Sequence, residues 1–391
     1  MEPTPLPERR IRDLESTTGP VTGPWGPILT TLRDAPPGSL GSNLPGRIRL
    51  IAVGTEVIPL LEVSGEQPAA CACSILSRHV HASVLEVRTW DKPVWLGVVS
   101  TQAALLARLL ACLGVERAVF VNNWLRSTNP APRLSAAELV RLKDWLIAAY
   151  PDRALIVPNV NPVLEPELTA NLRRTGARLI PTRIVSLLDP RENRFQQSRD
   201  VRRDRRLLRE TSHRIVHRHE LGRLDLDRIV ALYRGLYVEK HGATNAAFGR
   251  RYLEAQLQSP GMEWVALENP DRGSIDMFTL WTKHANYLTK VMGAYDQTLP
   301  QKTGLYRLQI MYPVFLVAEP AGLPINLSSG AARFKQLRGA RPVLEYDAVW
   351  DEHLPARRRL AWRLLEAKGL WNHRGSCPQA QANPIACRAC L

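Results

Sequence analysis

The sequence predicts an α/β protein with two structured halves. Its 391 residues suffice for two domains of about 100–200 residues each. Hydrophobic residues make up 45% of the chain, which is enough to form ordinary buried cores. Short apolar runs typical of strands alternate with amphipathic segments typical of helices, and this alternation favours a layered α/β architecture.

The first half is predicted to span residues 47–190. It follows a leader, residues 1–46, whose Pro, Gly, Thr and Ser content predicts irregular structure with at most one short helix. Its helices are expected to end at Gly114 and Pro151, because glycine caps helices and proline stops them. The expected elements are strands in 47–63, a helix at 103–113, a strand at 118–121, a helix at 135–150, a strand at 155–158, a helix near 165–175 and a strand at 178–188.

A strongly basic segment follows, predicted as a linker or helix over residues 191–225. Residues 191–223 contain 11 Arg and 5 acidic residues, and the richest stretch includes Arg202, Arg203, Arg205 and Arg206. Two interpretations remain open: a solvated helix face that joins the halves, or a surface that follows the phosphates of a nucleic acid.

The second half is predicted over residues 226–368. Its expected order is helix, helix, three strands, helix, strand, turn, strand and a basic C-terminal helix. A hairpin turn is expected at 283–286, and Pro313 is expected to kink or restart the helix over 305–318. A loop or turn is expected at 335–339.

This order of elements resembles the GNAT acyltransferase fold. In that family a Gln/Arg-x-x-Gly-x-Gly/Ala turn before a helix cradles the pyrophosphate of coenzyme A, because open backbone N–H groups at a helix start bind phosphate. Gln301, Lys302, Gly304 and Tyr306 stand at the corresponding turn. Tyr306 replaces the last small residue of the motif and would crowd a phosphate.

A second resemblance concerns the Fem-type branch of that superfamily, which includes tRNA-dependent aminoacyltransferases. Members carry a Phe-Lys or Tyr-Lys pair, two spacers, an aromatic or basic residue and glycine. Phe334, Lys335, Arg338 and Gly339 match that pattern. The resemblance implies tandem GNAT-like domains with mixed, largely antiparallel sheets flanked by helices. It also implies that Phe334 and Arg338, with the 301–306 turn, bind the acyl donor.

Three residues are candidates for catalysis. Lys335, one of only eight lysines, lies in a Gly/Ser/Ala-rich segment and could stabilise the oxyanion that forms in acyl transfer. The alternative interpretation is that Lys335 is an ordinary surface lysine in a loop. Glu239, near the end of a helix, could relay the proton of an attacking amine, although the neighbouring residues also fit a helix C-cap. Asp296, at a strand end, could bind an amine acceptor or serve a solvated turn.

The C-terminal tail, residues 369–391, has ligand types at zinc-knob spacing: His373, Cys377, Cys387 and Cys390. A structural zinc site and a tail with free thiols both remain open. Residues 1–14 are rich in Pro and charged residues and contain no apolar run, so neither a secretory signal nor disulfides are expected. With no apolar run of about 18 residues, a cytoplasmic protein without a membrane partner is expected.

The formal net charge of +15 completes the functional interpretation. Of 52 Lys and Arg, 44 are Arg, which a GC-rich genome also explains. Together with the basic segment and Tyr306, the charge favours aminoacyl-tRNA as donor and a small molecule as acceptor, with no DNA partner. The alternatives are an acyl-CoA-dependent N-acyltransferase and a non-enzymatic RNA-binding protein.

Overall fold

The computed structural model describes residues 11–17, 19–84, 93–240, 242 and 244–374. Their strands form one mixed sheet of 12 strands. The strands are β1 (Ile11–Asp13), β2 (Arg47–Val53), β3 (Glu56–Glu62), β4 (Ala118–Val121), β5 (Ala154–Val160), β6 (Arg178–Leu188), β7 (Arg214–Val216), β8 (Met262–Asn269), β9 (Ser274–Lys283), β10 (Leu288–Tyr295), β11 (Ile325–Asn326) and β12 (Arg341–Trp350).

Helices cover both faces of this sheet. The α-helices are α1 (Gly26–Asp34), α2 (Pro93–Cys112), α3 (Ala136–Ala149), α4 (Pro166–Arg174), α5 (Asn193–Gln196), α6 (Arg199–Glu210), α7 (Leu226–Arg234), α8 (Arg250–Gln258), α9 (Leu305–Pro313), α10 (Ala332–Gln336) and α11 (Ala356–His373). Short 3₁₀ or π segments lie at Ser77–His81, Arg218–Arg223, Gly235–Glu239, Gln301–Thr303 and Val314–Ala318.

The two halves repeat one order of strands and exchange their last strands. Across the sheet the order is β1-β2-β3-β4-β5-β12-β6-β11-β10-β9-β8-β7. The first half therefore continues from β5 across β12 to its own β6, and the second half continues from β11 across β6 to its own β12. Each half also contains one parallel pair, β4 with β5 and β10 with β11, whereas the other pairs are antiparallel. The predicted α/β class and its largely antiparallel sheets are confirmed, and this internal repeat is what a tandem fold requires.

Both faces of the sheet are buried by apolar contacts. Leu50 and Ile51 are neighbours on β2, are fully buried, and belong to separate core clusters because successive strand residues point to opposite faces. Helices α3 and α4 pack on the Ile51 side, and α1, α7 and α8 on the Leu50 side. Helix α3 begins as predicted after Ser135, whose Oγ accepts a hydrogen bond from the Glu138 N–H at 3.3 Å.

The structure corrects part of three expectations about local structure. The leader was expected to be irregular with at most one short helix; it contains one helix, α1, which buries Ile28, Leu29 and Leu32 on one face, but β1 also pairs with β2. The basic segment, expected as a linker or helix, contains α5 and α6 and also an edge strand of the sheet, β7. The segment at 335–339 was expected to be a loop or turn; residues 337–339 form a turn, but Lys335 lies in helix α10.

The strand exchange gives a prediction about the two halves expressed separately. Residues 1–190 alone leave β5 and β6 without β12 between them, so two rows of backbone donors and acceptors lose their partners. We expect neither residues 1–190 nor residues 191–391 to unfold cooperatively alone, and we expect co-expression to give a 1:1 complex. Size-exclusion chromatography and circular dichroism during urea titration test this. A cooperative transition in isolated residues 1–190 would contradict it.

Candidate functional site

Each half has a place where its parallel strands separate. The β4–β5 ladder ends at Phe120 and Ile156, and the β10–β11 ladder ends at Thr289 and Asn326. Every non-glycine residue with positive φ in the described part of the chain lies just beyond these points: Asn122, Leu125, Asn159, Ser328 and Ala331. Such backbone costs about 1–3 kcal/mol per residue and is concentrated at functional sites in proteins. We therefore examined both separations as candidate sites.

In the second half, the separation contains a buried lysine without a partner. Strand β10 has a bulge between Lys290 and Met292, opposite Trp281 and Leu280 of β9. The Lys290 side chain is 7% exposed, and it makes no hydrogen bond or ion pair within the part of the chain that the structure describes. Burial lowers the pKa of Lys290 from 10.5 to about 7. This amine is a neutral base over the upper half of the physiological pH range.

Lys335, the lysine that the sequence favoured, lies close by, but its Nζ already donates three hydrogen bonds. Its Nζ donates to the carbonyl oxygens of Leu327, Ser328 and Ser329 at 2.8, 3.0 and 2.9 Å. Burial, together with the charges of Lys290 and Arg183, lowers the pKa of Lys335 to about 7. The three carbonyl acceptors favour an ammonium at Lys335, so Lys290 is the member of the pair that gives up its proton first.

The Lys335 ammonium therefore shapes the segment after β11. Each of its three N–H donors meets one carbonyl of residues 327–329, which leaves none for a substrate carbonyl. The alternative interpretation, a surface lysine in a loop, is wrong as well, because Lys335 is 3% exposed. We name the space between the β10 bulge at Lys290 and residues 327–331 the second-half cleft.

A buried polar network supports the base of this cleft. Glu345 of β12 accepts hydrogen bonds from Asn326 at 3.0 Å, from Asn161 at 3.3 Å and from Arg183 at 2.9 Å. Asn326 in turn accepts from the Ser328 N–H at 2.8 Å. Residues of β6, β11 and β12 thus meet here, so the exchange of strands between the halves builds the site.

The predicted donor turn at residues 301–306 is covered by helix α6 of the basic segment. Gln301 and Lys302 lie exposed in a 3₁₀ turn, and Gly304 has φ +69° before α9. A Cβ on Gly304 would lie 2.3 Å from a methyl carbon of Leu207 on α6. The space above this turn is therefore occupied by a leucine side chain.

Aromatic rings pack together near that turn. Tyr306 packs against Tyr295 with ring centroids 5.7 Å apart and against Phe334 at 5.0 Å. The Arg338 guanidinium lies 3.4 Å from the Phe334 ring centroid. The structure thus brings Tyr306, Phe334 and Arg338 together.

Helix α6 is anchored by a buried carboxylate. Asp204 is fully buried and accepts from Arg338 Nε at 2.5 Å and from Arg307 Nε at 2.6 Å. Arg205 also makes internal contacts: it forms an ion pair with Glu319, and its guanidinium lies over the ring of Phe315. These contacts hold helix α6 over α9 and α10.

The opposite face of α6 points to solvent. Arg202, Arg203 and Arg206 are exposed; Arg203 lies 3.7 Å from Asp200, and Arg206 donates to Glu210 at 2.7 Å. Pairs of this kind on an exposed helix contribute little energy and open readily. This face is the part of the predicted tRNA surface that stays accessible.

The other two catalytic candidates lie in different surroundings. Asp296 accepts from Arg228 at 2.6 Å and from the Thr298 hydroxyl at 2.6 Å. Burial alone would raise the pKa of Asp296, but these hydrogen bonds outweigh burial and lower it. Glu239 is exposed at the end of a π segment. Among the described residues, no hydrogen bond or ion pair joins any two of the three candidates.

Sequence reasoning missed Lys290. It stands in an ordinary apolar strand pattern, and only the bulge and the ending of the β10–β11 ladder make it distinctive. The scarcity of lysines was a usable signal, but it did not separate Lys290 from Lys335.

In the first half, the separation of β4 and β5 opens into a cavity, which we name the first-half cavity. Asn122, Asn159 and Glu165 line one side, and Thr289 and Asn326 of the second half line the other. The Asn122–Trp124 segment, which followed a predicted strand in the sequence, therefore borders a cavity at the junction of the halves.

The predicted zinc knob lies mostly beyond the part that is described. Cys377, Cys387 and Cys390 fall outside the described residues, and His373 ends helix α11. Within the described ranges, no group of three or more His, Cys, Asp or Glu side chains is arranged to hold a metal ion. Among the described helices, none combines the length and apolarity needed to cross a bilayer.

No protein-family model matches the chain, and no curated protein matches it. Solved structures resemble it at low identity. FemX is 10% identical over 82% of this chain and 90% of its own, with a TM-score of 0.47. The C-terminal domain of a candidate lysylphosphatidylglycerol synthetase from Agrobacterium fabrum is 14% identical over 65% of this chain and 82% of its own, with a TM-score of 0.42.

A tandem GNAT protein from the clavulanic acid biosynthesis pathway is 14% identical over 61% of this chain and 76% of its own, with a TM-score of 0.34. Because the identities and TM-scores are low, function has to be argued from the residues of this chain.

Proposed function

We propose that this protein is an acyltransferase that moves an aminoacyl group from aminoacyl-tRNA to an amine or hydroxyl of a small-molecule acceptor. The reaction is assigned to the second-half cleft. The observation that carries this assignment is the buried, partnerless amine of Lys290 at the β10 bulge. Its pKa of about 7 suits a general base, because a catalytic base works best when its pKa is near the operating pH.

The proposed step is direct transfer. The neutral acceptor nitrogen or oxygen attacks the carbonyl carbon of the donor ester, the new C–N or C–O bond forms, and the ester bond to the ribose oxygen breaks. Lys290 takes the proton that the acceptor loses and returns it to the leaving oxygen, so no further reactant is needed. Lys335 positions the 327–329 segment that borders the reacting groups.

The choice of donor is supported by the turn before α9. Leu207 fills the space above Gly304, and Tyr306 stands where a small residue would admit the pyrophosphate of coenzyme A. The helix that provides Leu207 also presents Arg202, Arg203 and Arg206 to solvent. A polyanionic donor that binds across this helix fits these features better than a coenzyme A pyrophosphate under Leu207.

A donor comparison tests the proposal. The purified chain is incubated with charged tRNA or with acyl-CoA and a mixture of small amines, and product masses are measured. Transfer of an amino acid from tRNA that RNase abolishes is the expected result. Transfer of a simple acyl group from acyl-CoA would establish the alternative donor. Salt-sensitive RNA binding without product from either donor would establish the non-enzymatic alternative.

The exposed face of α6 gives a separate prediction. Replacing Arg202, Arg203 and Arg206 together by serine is expected to weaken tRNA binding and to flatten its salt dependence. Each lost phosphate contact lowers the slope of log K against log salt by about 0.7–0.9, so we expect a decrease of about 2. Fluorescence-detected tRNA titration at several salt concentrations measures this slope.

The matched control removes three exposed arginines elsewhere, Arg173, Arg357 and Arg363. It carries the same change in net charge, and we expect its slope to stay near that of the unaltered chain. Equal slopes for the two triple variants would contradict a tRNA surface on α6.

A further inference from the structure

The first-half cavity is a space of about 40 Å³ at the junction of the two halves, lined by both polar and apolar side chains. The ends of β4 and β5 form one wall, the start of α4 a second, and β10, β11 and β12 a third. Asn122 and Asn159, both with φ +62°, stand where β4 and β5 part. Strained backbone at two walls of one cavity indicates a conformation held for the sake of the site.

Donor groups that line this cavity have no partner among the described residues. The Thr128 side chain is 4% exposed, and its hydroxyl is buried without a hydrogen bond. The Nδ2 atoms of Asn129 and Asn159 are likewise buried and unpaired. The oxygen of Asn129 accepts from the Trp124 N–H, and the oxygen of Asn159 accepts from Arg78, which fixes both amides with the nitrogen as the free donor.

Unpaired buried donors are expensive, at about 1–3 kcal/mol each, and native proteins contain few of them. Three such groups around one cavity therefore point to a bound molecule that supplies acceptor oxygens. A carboxylate or a carbonyl group satisfies this requirement.

The wall at the start of α4 supplies a carboxylate, which accepts hydrogen bonds and attracts cations. One oxygen of Glu165 accepts a hydrogen bond from the Tyr287 hydroxyl, and its other oxygen has no partner within the described ranges. Glu345, the other carboxylate on the wall, is already satisfied by Arg183, Asn161 and Asn326. Glu165 is thus the group that remains to bind a donor or a cation. Burial raises the pKa of Glu165, which a bound ammonium group would lower again.

We propose that the first-half cavity binds a small α-amino-acid-type zwitterion, with its amine at Glu165 and its carboxylate at Thr128, Asn129 and Asn159. This binding site stands on the cavity alone. That the bound molecule is the acceptor of the transferred group rests on the function proposed above.

The position of the cavity suits that role. Thr289 and Asn326, the last paired residues of β10 and β11, line the cavity, and Lys290 is the next residue on the opposite face of β10. Beyond that pair, no backbone hydrogen bond joins β10 to residues 327–331 within the described chain. The sheet is therefore not closed between the cavity and the second-half cleft.

Isothermal titration calorimetry of the full chain without any donor tests the site. The probes are glycine, L-alanine and L-serine, each compared with its N-acetyl derivative, which lacks the cationic amine. We expect at least one free amino acid to bind and its N-acetyl form to bind at least about tenfold more weakly, since tenfold corresponds to only 1.4 kcal/mol. Glu165→Gln is expected to weaken binding by a similar factor, and Thr128→Val to weaken it several-fold.

Two matched variants serve as controls. Glu167→Gln removes an exposed carboxylate from the same helix, and Thr101→Val removes an exposed hydroxyl from α2. Melting temperatures of all variants show whether they fold, and Thr128→Val provides a second reading if Glu165→Gln does not fold. No binding of any free amino acid up to about 10 mM would overturn the proposal. Binding that neither cavity variant weakens, or that acetylation leaves unchanged, would also overturn it.

The two proposals fail in distinguishable ways. Calorimetric binding without transfer from any donor would contradict the proposed function and leave the cavity proposal intact. Transfer to an acceptor that does not compete with the bound amino acid would leave the proposed function intact and remove the acceptor role from the cavity.

Discussion

Lys290→Met is expected to lower the rate of acyl transfer by about 10²–10⁴-fold, the usual contribution of a general base. Methionine keeps much of the length and the apolar contacts of the side chain but cannot accept a proton. Donor binding should change little, because the exposed arginines of α6 are untouched. Single-turnover transfer from charged tRNA measures the effect. Lys283→Met, an exposed lysine at the end of β9, is the control and should keep its rate.

The same variant should change the pH dependence. Lys290 must be neutral to accept a proton, so the rate of the unaltered chain is expected to rise with pH through about 7 and then level off. This rise should be missing from the residual activity of Lys290→Met. An identical pH profile in both chains would mean that Lys290 is not the base.

The Lys290→Met substitution should raise the free energy of unfolding although it lowers the transfer rate. The folded pKa of Lys290 is about 7 and the unfolded value is 10.5, so between these values the unfolded chain binds more protons and stability rises with pH. Below pH 7 the full cost of burying the charge is present. Lys290→Met removes that cost, so its free energy of unfolding should exceed that of the unaltered chain, most strongly below pH 7.

Lys335→Met is expected to lower the free energy of unfolding by about 2 kcal/mol or more. The substitution removes the donor to the carbonyl oxygens of Leu327, Ser328 and Ser329, and each buried acceptor left unsatisfied costs about 1–3 kcal/mol. Ser328 keeps one partner, because its carbonyl oxygen also accepts from the Ser186 N–H at 3.1 Å. Urea titration at pH 8, above the pKa of Lys335 of about 7, measures the loss without the cost of burying its charge, and Lys240→Met, an exposed lysine, is the control.

This variant also separates the two roles considered for Lys335. A large loss of stability supports the role of holding residues 327–329. A large loss of transfer rate with unchanged stability would instead support the cation at the reacting carbonyl that the sequence suggested.

Much of the architecture could be predicted from the sequence because it depends on local patterns. The spacing of Leu139, Leu142 and Leu146 defined α3, and Pro151 was expected to end it. Pro313 was expected to disturb its helix, and a π segment does begin at Val314. The sequence motif included Phe334 and Arg338, and these two residues are in contact.

The leader and the basic segment were misjudged because their partners are distant in sequence. Strand β1 depends on β2, and the buried Asp204 of the basic helix depends on Arg307 and Arg338, more than 100 residues away. Nothing in an arginine-rich run distinguishes an aspartate that anchors a helix from one that pairs at the surface.

The sequence by itself determined the class of fold, the order of elements, the basic charge and the short list of lysines, because these follow from composition and from spacing along the chain. Only the tertiary structure decided which lysine is available for chemistry. Lys335 is saturated by three carbonyls and Lys290 is left without a partner, since a bulge and the end of one β ladder set their surroundings. The exchange of β6 and β12 likewise brings Glu345 to Asn326 and Asn161, a contact that no local pattern encodes.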